Sequence, residues 1–309
     1  MRREHDKAIG SLLGLACGDA VGAAVEFVPR GRFDPLTDMV GGGKFRLTPG
    51  EWTDDTSMAL CLADSLLACN GFDPADQMAR YWRWGEEGYR SVRPHPIGMG
   101  KNVVQAMRRW RKTGEPYCGS PDPKTSGNGC LMRLAPVPIF YQEDLEAAIH
   151  YGRLSAATTH GSEDCLAATG LFAELLVRAL SGAPSKAELL AGPFTAALSP
   201  AIHAVAEGSY REKDEAAIKG SGWVVESLEA ALWCIWHGRD FEDTILRAAN
   251  LGDDADTTAA IAGQLVGAFY GADAIPRPWR ERLALGDEIA ALGRCLAEGA
   301  HDTAGHRGL

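Results

Sequence analysis

Apolar residues recur three to four positions apart along most of this 309-residue chain. In residues 54–69, Met58, Leu62 and Leu66 stand four apart, and the run ends at Asn70-Gly71, a pair typical of helix C-termini. Strand signals are scarce, and strands do not alternate with helices. The pattern therefore predicts an all-α protein. The same spacing predicts further helices over about 6–26, 75–89, 100–113, 142–151, 154–180, 186–191, 199–218, 223–238, 241–250, 257–270 and 278–297.

The domain organisation follows from what separates these helices. No Pro/Ser-rich linker divides the chain and no 20–50-residue repeat is visible, so we expect one multi-helix domain over 1–300 and a flexible C-terminal tail over 301–309. Long irregular stretches occupy 29–52, 89–100 and 112–129, and each leads into a polar or glycine-rich helix start. Loops of this length inside a compact domain are usually functional or disordered. They predict one site around which the three loops gather.

Composition and charge narrow the classes of function. The net charge of −10 argues against a nucleic-acid groove, because phosphate contacts need a dense basic face. No apolar run reaches the length of a membrane span, and the eight cysteines form no CxxC pair. These features favour a reduced, cytoplasmic protein, which we expect to be a monomer. The 36 glycines, many beside alanines, indicate closely approaching helices and tight loops.

Two helix entrances carry unusual groups of carboxylates and hydroxyls. The first entrance is that of the helix predicted over 54–69, which begins with Asp54 and Asp55 directly after Thr53. Capping explains one such residue, with Thr53 as N-cap and acidic residues at the positive end of the helix dipole. Adjacent carboxylates repel each other when ionised, however, so a bound cation is the alternative.

The second entrance repeats this arrangement near the C-terminus. Asp254, Asp256 and Thr257 precede a helix of small residues, and two all-oxygen entrances suggest two halves of a site for hard cations. Asp19 and Glu26 are seven apart and are predicted to share a helix face. A phosphotransferase DxDx(T/V) motif and an EF-hand loop both fit poorly, since neither the preceding strand nor the loop glycine and glutamate are present.

Six segments occur along the chain in this order: GLACGDAVGAAVEF, GEWTDDTSMAL, SGNGCLMRLAPV, TTHGSEDC, GSGWVVESLEAALW and NLGDDADTTAAIAGQLVGA. Together and in this order they resemble the ADP-ribosylglycohydrolases, particularly the bacterial branch typified by dinitrogenase reductase-activating glycohydrolase. The resemblance implies an all-helical fold and two divalent cations, Mg²⁺ or Mn²⁺. It implies an enzyme that hydrolyses the bond between ADP-ribose and an acceptor, most simply an ADP-ribosylated protein side chain.

The resemblance also implies roles for individual residues. Glu26, Asp55 and Asp256 would be catalytic, with Glu26 close to the metals and the reactive water. The implied metal ligands are Thr53, Asp54, Asp55, Asp254, Asp256 and Thr257. The implied substrate contacts are Gly98, Gly100, Gly127, Asn128, Gly129, Met132, His160, Ser221, Gly222 and Trp223.

Some of these positions have alternatives of their own. Residues 126–133 would start a helix whose exposed N–H groups suit a pyrophosphate, or they could form a simple turn. Trp223 could stack on adenine, or it could be an ordinary core tryptophan. His160 is on general grounds a structural hydrogen-bonding residue, although the family places a histidine near the ligand phosphates.

Departures from the family's pattern affect the expected acceptor. Gly252-Asp253 adds a carboxylate near the metals, and Ala255 replaces a threonine. Pro96 stands where arginine-directed relatives carry an aspartate, so arginine remains the first choice but cleavage is expected to be slower. Alternatives are a hydrolase of another ADP-ribose conjugate or nucleotide-sugar, and a non-catalytic member that binds ADP-ribose.

Overall fold

Helices supply nearly all the regular structure in a computed structural model of the chain, which describes residues 3–304. Within these residues β-structure is limited to isolated bridges, so the prediction of an all-α, single-domain fold is confirmed. No helix in this range is both long and apolar enough to cross a membrane. The helices are α1 (Arg3–Gly22), α2 (Asp54–Cys69), α3 (Pro74–Glu87), α4 (Lys101–Thr113), α5 (Pro136–Phe140), α6 (Leu145–Ala157), α7 (Glu163–Leu180), α8 (Lys186–Leu189), α9 (Pro200–Ala206), α10 (Val224–His237), α11 (Phe241–Ala249), α12 (Ala255–Tyr270), α13 (Arg277–Arg282) and α14 (Gly286–Ala304).

The packing of α1 against α12 positions the site. Glycines at every fourth position of α1 meet the α12 backbone so closely that a Cβ at Gly14 would lie 2.2 Å from the Gly263 carbonyl oxygen. A Cβ at Gly18 would lie equally close, 2.2 Å, to the carbonyl oxygen of Ala259. Successive contacts descend α12 as they ascend α1, so the two helices are antiparallel. The C-terminal end of α1 therefore lies beside the N-terminal end of α12.

The hydrophobic core surrounds this pair. Helix α7 is buried along almost its whole length and packs, with α10 and α14, around α1 and α12. A second apolar cluster joins α2, α3 and α4 through Met58, Tyr81, Trp84 and Met107. Helix α2 belongs to both clusters, which fixes its N-terminus against the end of α1.

Several predicted boundaries were wrong. A single helix over 154–180 was expected, but α6 continues to Ala157 and α7 starts at Glu163. Gly152 lies within α6, where its missing side chain lets the helix pack against Ala173 of α7. Ser162 caps α7 by accepting the Cys165 N–H at 3.3 Å.

Two other expected helices are interrupted by residues in the left-handed region. The segment 199–218 is α-helical only over α9, and Gly208 follows it at φ +84°. The segment 278–297 divides into α13 and α14 at Leu285, which has φ +56°. Residues 301–304 are the end of α14, and the remainder of the expected tail, 305–309, lies outside the described residues.

Candidate active site

The entrance of α2 is capped by Asp19 of α1, not by Thr53. The buried Asp19 carboxylate accepts the backbone N–H groups of Thr53 and Thr56, both at 3.0 Å, and their hydroxyls at 2.9 and 2.6 Å. Thr53 makes no capping bond with its own side chain, so the prediction that it caps α2 was wrong. Because Asp19 satisfies these donors, neither Asp54 nor Asp55 is needed as a cap.

The two acidic entrances meet at this point. Asp19, Asp55 and Asp256 each offer a carboxylate oxygen, and the three oxygens lie within 4.8 Å of one another. Glu26, Asp254 and Asp256 form a second such group, so Asp256 belongs to both. The structure therefore brings carboxylates of α1 and α2 against a carboxylate of α12 that lies about 200 residues later in the sequence.

Thr53 lies between these carboxylates. Its Oγ1 is 3.3 Å from Asp55 Oδ2 and 3.5 Å from Asp256 Oδ2. The Asp256 Oδ1 atom accepts the N–H of Thr257 at 2.8 Å. Thr53 and Asp55 are almost fully buried, and they form the floor beneath the more accessible members of the group.

Glu26 reaches the cluster from a turn, so the prediction that it shares a helix face with Asp19 was wrong. Helix α1 ends at Gly22, where the backbone of Asp256 leaves no room for a side chain. The chain then folds back through Phe27, which has φ +65° and donates its N–H to the Asp253 carbonyl oxygen at 2.6 Å. This turn holds Glu26 over the start of α12.

Burial raises the pKa of every carboxyl group in this cluster, and repulsion between neighbouring carboxylates adds to the rise at Glu26, Asp54, Asp55 and Asp256. Burial and the neighbouring Asp54 carboxylate raise the pKa of Glu26 from 4.5 to about 8. Burial and Asp19 raise the pKa of Asp54 to about 7, and burial raises the pKa of Asp19 to about 6 despite its hydrogen bonds. The pKa values of Asp55 and Asp256 lie well above the usual 3.8, chiefly because both are buried among like charges.

These groups suit hard cations. Glu26 Oε2 and Asp55 Oδ1 are buried and have no hydrogen-bond partner among the described residues. The donor set is entirely oxygen, carboxylate and hydroxyl, which Mg²⁺ and Mn²⁺ prefer. A divalent ion would supply the positive charge that this cluster lacks.

A cleft of about 520 Å³ opens directly above the carboxylates. Of the residues predicted for the site, those that line it are Glu26, Asp54, Gly98, Gly100, Gly127, Asn128, Gly129, Met132, His160, Asp254, Asp256 and Thr257. Thr53 and Asp55 lie beneath it. Ser221, Gly222 and Trp223 are not part of its lining.

A larger cavity lies elsewhere and has different chemistry. It measures about 940 Å³ and lies between the end of α2 and the helices α5 and α6, around stacked Tyr141 and Tyr151. It contains none of the clustered carboxylates described above. The smaller cleft is therefore the candidate active site, because carboxyl groups with perturbed pKa values and a concave surface coincide there.

The glycine-rich segment at 126–133 offers fewer free N–H groups than expected. It forms a short 3₁₀ turn at Asn128–Cys130, not the start of an α-helix. The Gly127 N–H donates to the Thr125 carbonyl and the Asn128 N–H donates to Gly222, at 2.8 and 3.1 Å. The Asn128 side chain instead serves the acidic cluster, because its Nδ2 donates to Asp254 Oδ2 at 2.6 Å.

Trp223 is not a core residue. Its side chain is 39% exposed, which rules out the interpretation as an ordinary core tryptophan. It immediately precedes α10 and forms a bridge with Gly127, and the Val224 N–H donates to the Ser126 carbonyl at 2.9 Å. This pairing attaches the Trp223 segment to the loop that lines the cleft.

His160 lies behind the glycine-rich loop. A Cβ at Gly129 would lie only 2.8 Å from His160 Cε1, and one at Gly127 would lie 3.4 Å from Nε2. Gly129 is therefore required for the imidazole to approach the loop so closely, whereas a Cβ at Gly127 would make an ordinary contact with the ring. Burial, together with the nearby Arg133 cation, lowers the pKa of His160 to about 3, so the ring is neutral.

Sequence reasoning missed several residues of the cleft. Phe27, Lys44, Phe45, Lys101 and Asn102 also line it. The Lys44 ammonium lies 4.2 Å from the centre of the 56%-exposed Phe27 ring. Their only signal was position, since each lies in, or directly after, one of the long loops or the Glu26 segment. Asp19 was noticed in the sequence but was not assigned to the site.

Comparison with known proteins agrees with the family resemblance found in the sequence. The sequence model of ADP-ribosylglycohydrolase matches residues 1–305. An ADP-ribosylarginine hydrolase Tri1 of Pseudomonas putida is 44% identical over 96% of this chain and 79% of its own. The ADP-ribosyl-[dinitrogen reductase] glycohydrolase of Rhodospirillum rubrum is 31% identical over 90% of both chains. A solved ADP-ribosylglycohydrolase-related protein complex contains a chain that superposes with a TM-score of 0.87, at 46% identity over 97% of this chain and 100% of that one.

Proposed function

The chain belongs to the ADP-ribosylglycohydrolase family, and on that premise we propose that it hydrolyses the glycosidic bond between ADP-ribose and an arginine side chain of a protein. One observation carries this proposal: buried carboxylates from three distant segments converge beneath a cleft. A non-catalytic family member would have no use for such a cluster, because unneutralised buried carboxylates destabilise the fold. Relatives named as ADP-ribosylarginine hydrolases, at 44% and 39% identity, favour arginine as the acceptor.

We propose that two divalent cations, Mg²⁺ or Mn²⁺, bind this cluster. The ligands that the cluster offers are Thr53, Asp54, Asp55, Asp254, Asp256 and Thr257. When bound, the cations would neutralise the carboxylates, orient the ribose hydroxyls and lower the pKa of a water molecule. Asp19 would support the group from behind, since its oxygens already accept four hydrogen bonds from Thr53 and Thr56.

The residues of the chain itself would then perform the proton transfer and the positioning. Glu26 lies at the cleft, and its Oε2 has no hydrogen-bond partner within residues 3–304, so it would accept the proton of the attacking water and deliver it to the leaving nitrogen. Asn128 would keep Asp254 in a fixed orientation through its 2.6 Å hydrogen bond. The carboxylates would stabilise the positive charge that develops on the ribose ring as the glycosidic bond breaks.

The remainder of the cleft would bind the rest of ADP-ribose. A volume of about 520 Å³ lies in the usual range for small-molecule sites. The glycine-rich loop and His160 would face the diphosphate, and Lys101, at the start of α4, would add a positive charge. Trp223 is exposed at the edge of this loop, where its ring is free to stack on adenine.

The acceptor has to be recognised without the aspartate that Pro96 replaces. Pro96 itself does not line the cleft. The acidic residues at the end of α3 and in the loop before Ser126 do not line it either: Glu86, Glu87, Glu115 and Asp122. Phe27 and Phe45 do line it, and a guanidinium can stack on such rings as the Lys44 ammonium does in this structure.

Release of free ADP-ribose from defined conjugates tests the proposal. Wild-type protein with Mg²⁺ or Mn²⁺ should cleave an arginine-linked ADP-ribosyl peptide, and Asp256→Ala or Asp54→Ala should abolish turnover. Serine-linked and base-linked conjugates serve as comparison substrates. Binding of ADP-ribose without cleavage of any conjugate would show a non-catalytic member, and faster cleavage of another conjugate would reassign the acceptor.

A further inference from the structure

Arg133 is a buried cation with no acidic partner among the described residues. It is 1% exposed and makes no ion pair within 4 Å. Its guanidinium instead lies 4.8 Å from the centre of the Tyr81 ring and donates to the Ser155 carbonyl and the Thr159 hydroxyl. Burying an unpaired charge is costly, so its placement calls for an explanation.

The hydrogen bonds lead from this cation to the cleft. Arg133 Nη2 donates to Thr159 Oγ1 at 2.6 Å, and the same oxygen lies 2.8 Å from His160 Nδ1. An arginine side chain has no hydrogen-bond acceptor, so Thr159 Oγ1 must be the acceptor in its bond with Arg133 Nη2. No other acceptor for the Thr159 hydroxyl lies within hydrogen-bond distance among the described residues, so its proton is directed to His160 Nδ1.

Electrostatics favours the same arrangement. A lone pair on Nδ1 points its negative end towards the buried guanidinium, whereas an N–H there would point its positive end at a cation. Nε2 then carries the ring proton. That nitrogen lies beside Gly127 and Gly129, on the side of the ring that lines the cleft, and it has no hydrogen-bond partner among the described residues.

We propose that Arg133 and Thr159 are positioning residues that hold His160 as the neutral tautomer with its proton on Nε2, so that Nε2–H donates to a phosphate oxygen of the substrate. The acceptor atom rests on the proposed function, but the tautomer does not. A neutral ring is required for a single fixed donor, and the low pKa of His160 keeps it neutral across the working pH range.

Long-range ¹H–¹⁵N correlation spectra of ¹⁵N-histidine-labelled protein test the tautomer directly. His160 is assigned by comparison with His160→Gln. The wild type should show an unprotonated Nδ1 and a protonated Nε2, with no change on titration through neutral pH. A proton on Nδ1, or a charged ring, would overturn the proposal.

Paired substitutions test the relay, by which we mean the hydrogen bonds from Arg133 through Thr159 to His160. Thr159→Val keeps the size of the side chain but removes the hydroxyl; it should mix the tautomers and weaken ADP-ribose binding about 10- to 100-fold, the loss expected for a hydrogen bond to a charged group. Thr159→Ser keeps the hydroxyl and should retain the wild-type tautomer and affinity. Arg133→Lys preserves a donor and should act like Thr159→Ser, whereas Arg133→Met should act like Thr159→Val.

The outcomes separate this proposal from the proposed function. A lower melting temperature in Thr159→Val with unchanged tautomer and affinity would show a merely structural role and would overturn the relay. A normal relay in a protein that binds no ADP-ribose would overturn the phosphate acceptor and the proposed function together. A Nδ1–H tautomer in a protein that cleaves ADP-ribosyl-arginine would overturn the relay alone.

Discussion

Without cations, the carboxylate cluster should make the protein less stable as the pH rises. The pKa of Asp19, Asp54 and Glu26 is raised by folding to about 6, 7 and 8, so the folded state holds these protons more tightly than the unfolded chain. The stabilisation that comes from holding these protons is complete below the unfolded pKa values of about 4. It is lost as the pH rises through the pKa values of the folded state. The melting temperature of metal-free protein should therefore fall between about pH 5 and pH 8.

The size of this fall can be estimated from Glu26. Raising its pKa from 4.5 to about 8 corresponds to roughly 5 kcal/mol, at about 1.4 kcal/mol for each tenfold change in proton affinity. Protonating one carboxylate relieves the others, so the contributions of the cluster do not add. At about 2 °C per kcal/mol for a chain of this length, the melting temperature should fall by about 10 °C.

Differential scanning calorimetry of metal-free protein from pH 5 to pH 8.5, with and without Mg²⁺ or Mn²⁺, measures this effect. A cation at a hundred times its Kd adds about 2.7 kcal/mol per site, and this gain should be larger at pH 8, where the carboxylates are ionised. Asp55→Asn should flatten the pH dependence. The matched control Asp64→Asn removes a carboxylate of the same helix that pairs with Arg90 outside the cluster, and should leave the slope unchanged. If the melting temperature of metal-free wild type stays flat or rises with pH, ionisation of the clustered carboxyl groups does not destabilise the fold.

Three further substitutions give distinct expected results. If the exposed Trp223 ring stacks on adenine as proposed, Trp223→Ala should weaken ADP-ribose binding by roughly 1–3 kcal/mol in calorimetric titration, whereas Trp223→Tyr should bind normally. An unchanged affinity for the alanine variant would exclude stacking. Pro96→Asp should raise kcat/KM for arginine-linked ADP-ribose by up to about tenfold, the effect of one charge-assisted hydrogen bond, and no rise would show that this position does not select the acceptor. Gly18→Ala should destabilise the fold by about 1–3 kcal/mol and weaken Mn²⁺ binding, because its Cβ would lie 2.2 Å from the Ala259 carbonyl oxygen and push α1 away from α12. An unchanged Mn²⁺ affinity would show that the close packing of α1 against α12 does not position the metal ligands.

Local patterns were enough to predict the fold class and most of the cluster. The period of apolar residues indicates a helix wherever it persists for three or more turns, as it does at 54–69, where the predicted and observed helices coincide. Clustered carboxylates and hydroxyls before α2 and α12 stand out in sequence because a single cap needs only one of them. The residue types of the two entrances suggested two halves of one cation site, and the family resemblance added the individual ligands.

The remaining features depend on contacts between distant segments. Asp19 is 34 residues from the Thr53 N–H that it caps, and no local pattern indicates such a bond. Glu26 was placed on a helix because the apolar period continues past Gly22, but the backbone of α12 blocks that continuation. The N–H groups of Gly127 and Asn128 were expected to be free, yet the latter is taken by Gly222 from a loop nearly a hundred residues away.

We propose that the converging carboxylates bind two divalent cations beside the bound ADP-ribose. The most direct measurement is the anomalous scattering of Mn²⁺ in crystals grown with Mn²⁺ and ADP-ribose. Two peaks are predicted, each coordinated by side chains of α2 and α12 that include Asp54, Asp55, Asp254 and Asp256, with the ribose adjoining them. ADP-ribose bound in the cleft with no anomalous peak among these carboxylates would show that the carboxylates do not bind the cations.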